Sequence, residues 1–596
     1  MINVNYQKRK NNELFKSLED PNLLFIKNTQ NYIPIYNRFF SLNDTNYNGI
    51  NFNNKFYISN INKKLDDNLH LYNCRVNNIT NNNVKDRDMF FKLAPLLDPY
   101  KYLVGKYNIN DERLFTLPKL DSSEKDCNIK FIDQNNSAYV DGLFLYLTSQ
   151  LTHTKYFPHG VDYYGSFLGI KHNFKLNVYD DIDYLKNSEF FNKNKNILFK
   201  IDEFEHLFPN KEEKLKPIQI NHNISAKSQL SVQSIDNHFF EDVFEDKLVN
   251  LNDLKNMSID LVEVTNSQIL EHKELNNGHV TLKSTSTCSS RSSHTDNEDS
   301  NNSSEEEKEE KDKDDDEDDE DDDEDDDDDD DEDDDEDDDD DEEEIINATI
   351  PKFPIQVICM EYCENTFDEL ILNNDLSHEE WYSALMQIIM ILITYQKAFN
   401  FTHNDLHTNN VMYNTTDIKF IYYCYKKKYY KVPTYGRIFK IIDFGRSIYK
   451  FDGKLFCSDS FQAGGDAATQ YNTEPYLNEK KPRLEPNYSF DLCRLACSIF
   501  DYIIEDFEEV NDLSKCKDPI KRLIVEWCLD DKGINMLYKN NGTDRYPDFK
   551  LYKMIARCVH NHTPQAQLER QEFKKFLHNG TIKGECINID EIPVCV

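Results

Sequence analysis

Glycine is scarce in this chain, 16 among 596 residues, and only Gly49 precedes Lys92. That excludes a phosphate cradle of the G-x-G-x-x-G type ahead of this lysine. None of the 14 cysteines forms a C-x-x-C pair, so neither a redox dithiol motif nor a regular disulfide framework is expected. The scattered thiols read as an intracellular, reduced protein. The start MINVNYQKRKNNELFK has no apolar core of a signal peptide, and the run Ala384 to Thr394 is short and interrupted by Gln387. Neither secretion nor membrane insertion is therefore expected.

Negative charge, by contrast, is abundant but confined. Positions 305–344 hold 37 acidic residues and 3 lysines, which supplies −34 of the formal −42. The remainder is mildly acidic, so the overall charge offers no argument for a nucleic-acid surface, which needs clustered Lys/Arg, and none is expected. A Ser/Thr-rich tract, Ser284 to Ser304, runs into the acidic block. Such a polyanion cannot bury enough apolar surface to offset its ordering entropy, and disorder is expected. The block reads as a solvated spacer, or as a tract that binds basic proteins, and the serines ahead of it suit acidophilic kinases.

The length calls for two lobes plus insertions. KFYISNI and LHLYNCRV read as short strands, MFFKLAPL (89–96) as another that ends before Pro95, and Ser137 to Leu151 as a helix with Ser137 as N-cap. FPHGVDYYGSFLGI reads as a turn into a strand, and the pattern loosens from Lys171. Ile355 to Met360 has the character of a buried strand. Ser377 to Asn400 reads as a helix, with Ser377 and Glu380 as a capping box. GRIFKIIDFGRSI reads as a strand breaking at Gly445, and PNYSFDLCRLACSIFDYII as a long helix. Strands first and helices later predict an α+β molecule of two lobes, a small β-rich one and a larger helical one. The expected boundaries are 1–170 for an N-terminal segment and β lobe, 171–350 for the insertion, 351–375 for a strand and hinge, and 376–596 for the helical lobe.

The chemistry concentrates in FTHNDLHTNN (401–410). Asp405 follows a helix, Asn410 lies five positions on, and Asp443 precedes Phe-Gly thirty-three positions after Asn410. In order, these match H-R-D-x-x-x-x-N followed by D-F-G. Hard oxygen ligands from Asn410 and Asp443 suit Mg²⁺, and Asp405 suits the proton of an incoming hydroxyl. A zinc site on His403 and His407 is the alternative, with no H-E-x-x-H pattern to extend it.

On these motifs the chain resembles the protein kinase superfamily, in the style of the serine/threonine kinases of amoeba-infecting giant DNA viruses. The resemblance covers Met89 to Ile170 loosely and Pro354 to Arg557 more clearly, and it implies a bilobal fold using ATP and Mg²⁺. CMEYC then resembles the hinge, with Met360 as gatekeeper, the backbone of Glu361 and Cys363 facing adenine, and Asp368 near the ribose. Lys92 in MFFKLA becomes the lysine for the α- and β-phosphates, or else a surface lysine ending an unrelated strand. Asp491 resembles the aspartate that anchors the catalytic loop, and Glu474 and Arg545 a late ion pair.

Three departures stand out. The glycine loop is missing, the helix at 137–151 offers Asp141 where the family has glutamate, and Asn404 and His407 replace the family's arginine and lysine. The short Asp141 side chain leaves its reach to Lys92 open. The stretch from Asp417 to Gly445 is longer than in the family and reads as an elongated hairpin, either an insertion that merely extends strands or, through Lys426 to Lys428, a basic docking edge for acidic substrates or the chain's own polyanion. The resemblance implies a protein serine/threonine kinase acting in the cytoplasm of an infected cell or packaged in virions. A small-molecule phosphotransferase of the same fold and a catalytically weak scaffold are the alternatives.

Overall fold

The computed structural model describes residues 2–66, 70–202, 346–504, 513–539, 542–547, 549–582 and 584–596. The Ser-rich and polyacidic tracts lie outside these residues. The described chain forms one compact unit of mixed α+β structure with a curled sheet. Among the described residues no helix is long and apolar enough to cross a membrane.

The main sheet is antiparallel. Its strands are β1 (Ile26–Gln30), β2 (Phe56–Lys64), β3 (Leu71–Asn78) and β4 (Val84–Pro95). After helix α1 (Ser137–Lys155) come β5 (Tyr163–Asn177) and, beyond the insertion, β6 (Asn347–Glu361). The order across the sheet is β1-β5-β6-β4-β3-β2, with the short strand Lys200–Ile201 also paired to β6. The sheet curls until β2 touches β5, and Gly165 faces Ile58 there. Register pairs Phe90 with Met360 and Lys92 with Ile358. The two-residue period therefore puts Lys92, Phe90 and Met360 on one face, while Met89, Phe91 and Leu93 are buried on the other.

Several sequence expectations shift at their edges. The strand predicted at 89–96 begins at Val84 and runs through Pro95. Helix α1 extends to Lys155, and its N-cap is Asn136 rather than Ser137, because the Asn136 side chain accepts from the Ala138 amide. The boundary at 171 falls inside β5, and residues 347–350 already belong to β6. The inserted tract is thus shorter than 171–350, since β5, β6 and the short strand at 200–201 pair side by side.

Helix α2 (Phe367–Asn373) leads to α3 (His378–Phe399), which has the predicted capping box complete on both sides. Residues Trp381 to Gln396 of α3 are all buried, as befits a helix enclosed on every side. Strand β7 (Val411–Thr415) follows, then a hairpin of β8 (Phe420–Tyr425) and β9 (Lys428–Pro433), then β10 (Arg437–Ile441), which pairs with β7. The long gap is therefore a hairpin, as its alternating apolar pattern implied. Its basic tip is partly covered by the chain itself. The amides of Lys426 and Lys427 donate to the Asp590 carboxylate at 2.8 Å, and Lys428 pairs with Glu569 at 3.1 Å. Helices α4 (Phe490–Ile503) and α5 (Lys550–Cys558) complete the elements used below.

Candidate active site

Strand β4 delivers Lys92 to the face covered by α1. Its ammonium lies 2.7 Å from Asp141 Oδ2 and 2.9 Å from Asp443 Oδ1. Burial would favour the neutral amine, but the two carboxylates outweigh it and raise the lysine's pKa. The short Asp141 side chain reaches because the next residue is glycine. A Cβ on Gly142 would fall 2.2 Å from the buried Gln356 Nε2 and 3.5 Å from Ile358 Cδ1. Without that Cβ, α1 lies close against β6 at this point. Asp141 Oδ1 also accepts the Phe444 amide at 2.9 Å, tying α1 to the segment that carries Asp443.

Strand β10 ends at Ile441, not at Gly445, so Asp443 sits in a loop with φ +62°. An aspartate held in this sparsely populated region marks a position fixed by its surroundings.

The loop 401–410 hangs from α4. Asp491 is fully buried and accepts the His403 amide at 2.9 Å and the Asn404 amide at 2.9 Å. His403 Nε2 meets the Ile442 carbonyl at 2.9 Å, so that ring atom is engaged by backbone. No three His, Cys, Asp or Glu side chains gather as a metal cage among the described residues. His407 Nε2 lies 3.0 Å from Asn410 Nδ2. Asn404, the residue in place of arginine, also ties the loop inward. Its amide donates to the Arg446 carbonyl at 3.0 Å and its Oδ1 accepts from Tyr471 at 2.8 Å.

Asp405 accepts the Tyr552 hydroxyl at 2.7 Å and faces Arg446 at 3.7 Å. Burial alone would raise its pKa. The charges of Arg446, His407 and Arg494, with the Tyr552 hydroxyl, outweigh burial and hold the carboxyl well below the usual range. It is ionised at any physiological pH. Asn410 donates its amide to the Asp405 carbonyl at 2.9 Å, and its Oδ1 is the atom a cation would use.

Met360, Phe90, Leu145 and Ile442 line a small cavity around Lys92, Asp141 and Asp443. It has room for about one water. An open cleft adjoins it and is lined by Lys92, Asp405, Asp443, Arg446, Asp459 and Asp466 among others. The donor set fits Mg²⁺ bound together with substrate phosphates better than a dedicated metal cage, since Mg²⁺ takes one or two carboxylates and keeps other oxygens.

Other predicted residues lie elsewhere or are already engaged. The Glu361 carboxylate accepts from Lys440 at 3.0 Å and from Asn414 at 2.8 Å, and its amide donates to the Asp162 carbonyl. Cys363 is buried, which pushes its thiol pKa up. Asp368 accepts from Thr408 and from Tyr502 and lines neither cavity. These contacts brace the loop, because α2 packs against residues 408–410. No ion pair joins Glu474 to Arg545 among the described residues. Arg446, Arg494 and Tyr552 were not foreseen. Only Arg446 left a trace in the sequence, as the cation directly after Asp-Phe-Gly.

No family model matches this chain. Over 183 residues it is 26% identical to an uncharacterized protein, 098R, of Invertebrate iridescent virus 6, a match covering 30% of this chain. The match spans about a quarter, 26%, of that relative's own length.

Proposed function

We propose that this chain is an ATP- and Mg²⁺-dependent protein kinase that transfers the γ-phosphoryl group to a serine or threonine hydroxyl. One observation carries the reading. Lys92, Asp141 and Asp443 meet in a single cleft, with Met360 at its inner end and Asp405 on its open side. In protein kinases the phosphate lysine sits on the third strand and pairs with an acidic residue of the following helix. Here β4 is the third strand of the β2–β3–β4 meander, and α1 follows it. In this reading the curled sheet with α1 is the small lobe, and the part built on α3 and α4 is the large one.

Lys92 would hold the α- and β-phosphates, with Asp141 keeping its ammonium charged and aimed. Asn410 and Asp443 would hold Mg²⁺, which when bound neutralises charge on the transferred group. Asp405 is too acidic to be a strong base, so its part is to orient the acceptor hydroxyl and take its proton late. The acceptor oxygen bonds the γ-phosphorus as the bond to the bridging oxygen breaks, and ADP leaves.

The test is transfer from γ-labelled ATP by the full chain to mixed protein acceptors, with aminoglycosides and choline-like alcohols in parallel. Protein labelling lost in Asp405→Asn is the expected result. Equal labelling by both proteins would remove Asp405 from the mechanism, and labelling of the small alcohols alone would make the enzyme a small-molecule phosphotransferase. The competing reading, a non-catalytic scaffold, is favoured by the nearly filled cavity around Met360. It predicts no transfer at all.

A further inference from the structure

The Lys92–Asp141 pair depends on where α1 lies, and the first turn of α1 is held by the segment that follows Asp443. Asp459 sits at the helix start. Its Oδ1 accepts the Ser137 amide at 2.9 Å, its Oδ2 accepts from Lys130 at 3.1 Å, and its own amide donates to the Asn135 carbonyl at 2.8 Å. The side chain is buried, so these contacts are little screened by solvent. A carboxylate at a helix N-terminus answers both the free amides and the positive end of the helix dipole. Lys130 is half-buried; desolvation would lower its pKa, yet Asp459 and Tyr107 outweigh this and raise it.

The same segment touches this region at further points. Arg38 donates to the Leu455 carbonyl at 2.7 Å and to Asn135 Oδ1 at 2.8 Å, so one guanidinium spans the strap and the turn before α1. Tyr449 donates to the Val140 carbonyl at 2.8 Å, one residue before Asp141. Lys101 donates to the Gly464 carbonyl at 3.0 Å. Residues 443–464 thus form a strap across the start of α1, and Asp459 is its only carboxylate on the helix amides among the described contacts. Asp141, one turn further in, accepts the Phe444 amide from the strap's other end.

We propose that Asp459 is a positioning residue: by capping α1 and anchoring Lys130, it sets Asp141 against Lys92 through an encoded carboxylate, with no added phosphate. This inference rests on the phosphotransfer reading for its consequence in turnover, but the clamp itself is a property of the fold. A strap held by a genetically encoded anion is permanently closed, and the site needs no modification of the strap to assemble. The substitution Asp459→Ala removes both contacts of the side chain. Asp459→Asn keeps an acceptor for the Ser137 amide while dropping the charge opposite Lys130.

The experiment uses the full chain and two readouts. Hydrogen exchange without nucleotide follows the amides of residues 137–141, and steady-state transfer separates kcat from the KM for ATP. In Asp459→Ala those amides exchange about tenfold faster or more. Its kcat falls by about 100-fold, as for a misplaced catalytic group, with a much smaller change in KM. Asp459→Asn lies between it and the wild type. Wild-type protein treated with phosphatase keeps its turnover.

Unchanged exchange at 137–141 in a folded Asp459→Ala overturns the clamp, and so does loss of wild-type turnover on phosphatase treatment. If Asp459→Ala does not fold, Lys130→Met carries the same two readouts with the helix cap left in place. If the wild type transfers no phosphate, the phosphotransfer reading fails while the exchange measurement still decides the clamp.

Discussion

The two sides of the cleft are built on different principles. On the Asp405 side the loop keeps His403, Asp405 and Asn410 in one short segment, and that segment hangs from Asp491 by two backbone amides. On the Lys92 side the kinase-like pattern is broken, yet the pair forms. A shorter acid on α1 reaches the lysine because Gly142 lets the helix settle against Gln356 and Ile358. Motif departures therefore do not by themselves disqualify a site; what matters is the distance between the charged atoms.

The contrast can be broken at either side. The largest effect is expected at the reacting groups. Asp405→Asn should lower turnover by about 10²–10⁴-fold, the usual contribution of a positioned acid or base, and label-transfer rates check this. Asp491→Ala comes next. It leaves the amides of His403 and Asn404 buried without their acceptor, at about 1–3 kcal/mol each. A loss of unfolding free energy of that size in denaturant melts, with loss of transfer, is expected, and an unchanged midpoint would free the loop from α4.

Gly142→Ala tests the other side more gently. The new methyl must displace Gln356 or lift α1, an overpacking cost of about 1–3 kcal/mol, and Asp141 withdraws from Lys92. Turnover should fall more than stability does. Adding Gln356→Ala should restore part of it, by making room for the methyl.

Near neutral pH the smallest effect is at a buried histidine, and it grows only on acidification. His159 is buried, with Nδ1 2.7 Å from the Phe439 carbonyl and Nε2 2.7 Å from the Tyr423 hydroxyl. Burial lowers its pKa to about 3. The unfolded chain takes up a proton on this ring near its ordinary value while the folded chain does not. Stability therefore falls as pH drops from about 6.5 toward 3. His159→Gln should flatten the acid limb of a stability profile in that window, and an unaltered slope would assign the acid sensitivity elsewhere.

What was legible in the sequence was local. Ser377 and Glu380 are three apart and meet across one helical turn. The alternation from Phe420 to Pro433 gave a hairpin, and Lys92 reads as a strand residue. What was not legible lies between distant segments. The reach of Asp141 depends on Gln356, more than two hundred positions away. The environment of Asp405 depends on Tyr552 and Arg494, whose approach no spacing announces. Asp368 faces the loop because α2 packs there, a matter of tertiary placement. The end of β10 at Ile441 was misjudged because Ile442 continues the apolar run, while Asp443 already turns at positive φ.

The central claim, that Lys92, Asp141 and Asp443 form a nucleotide site, is tested most directly by thermal unfolding of the full chain with Mg·ATP. Ligand that binds only the native state must raise its stability, by about 2.7 kcal/mol at a hundredfold excess over Kd. The account predicts an upward shift of the unfolding temperature that needs both Mg²⁺ and ATP and disappears in Lys92→Met. No shift at millimolar Mg·ATP, or an equal shift in Lys92→Met, would contradict it.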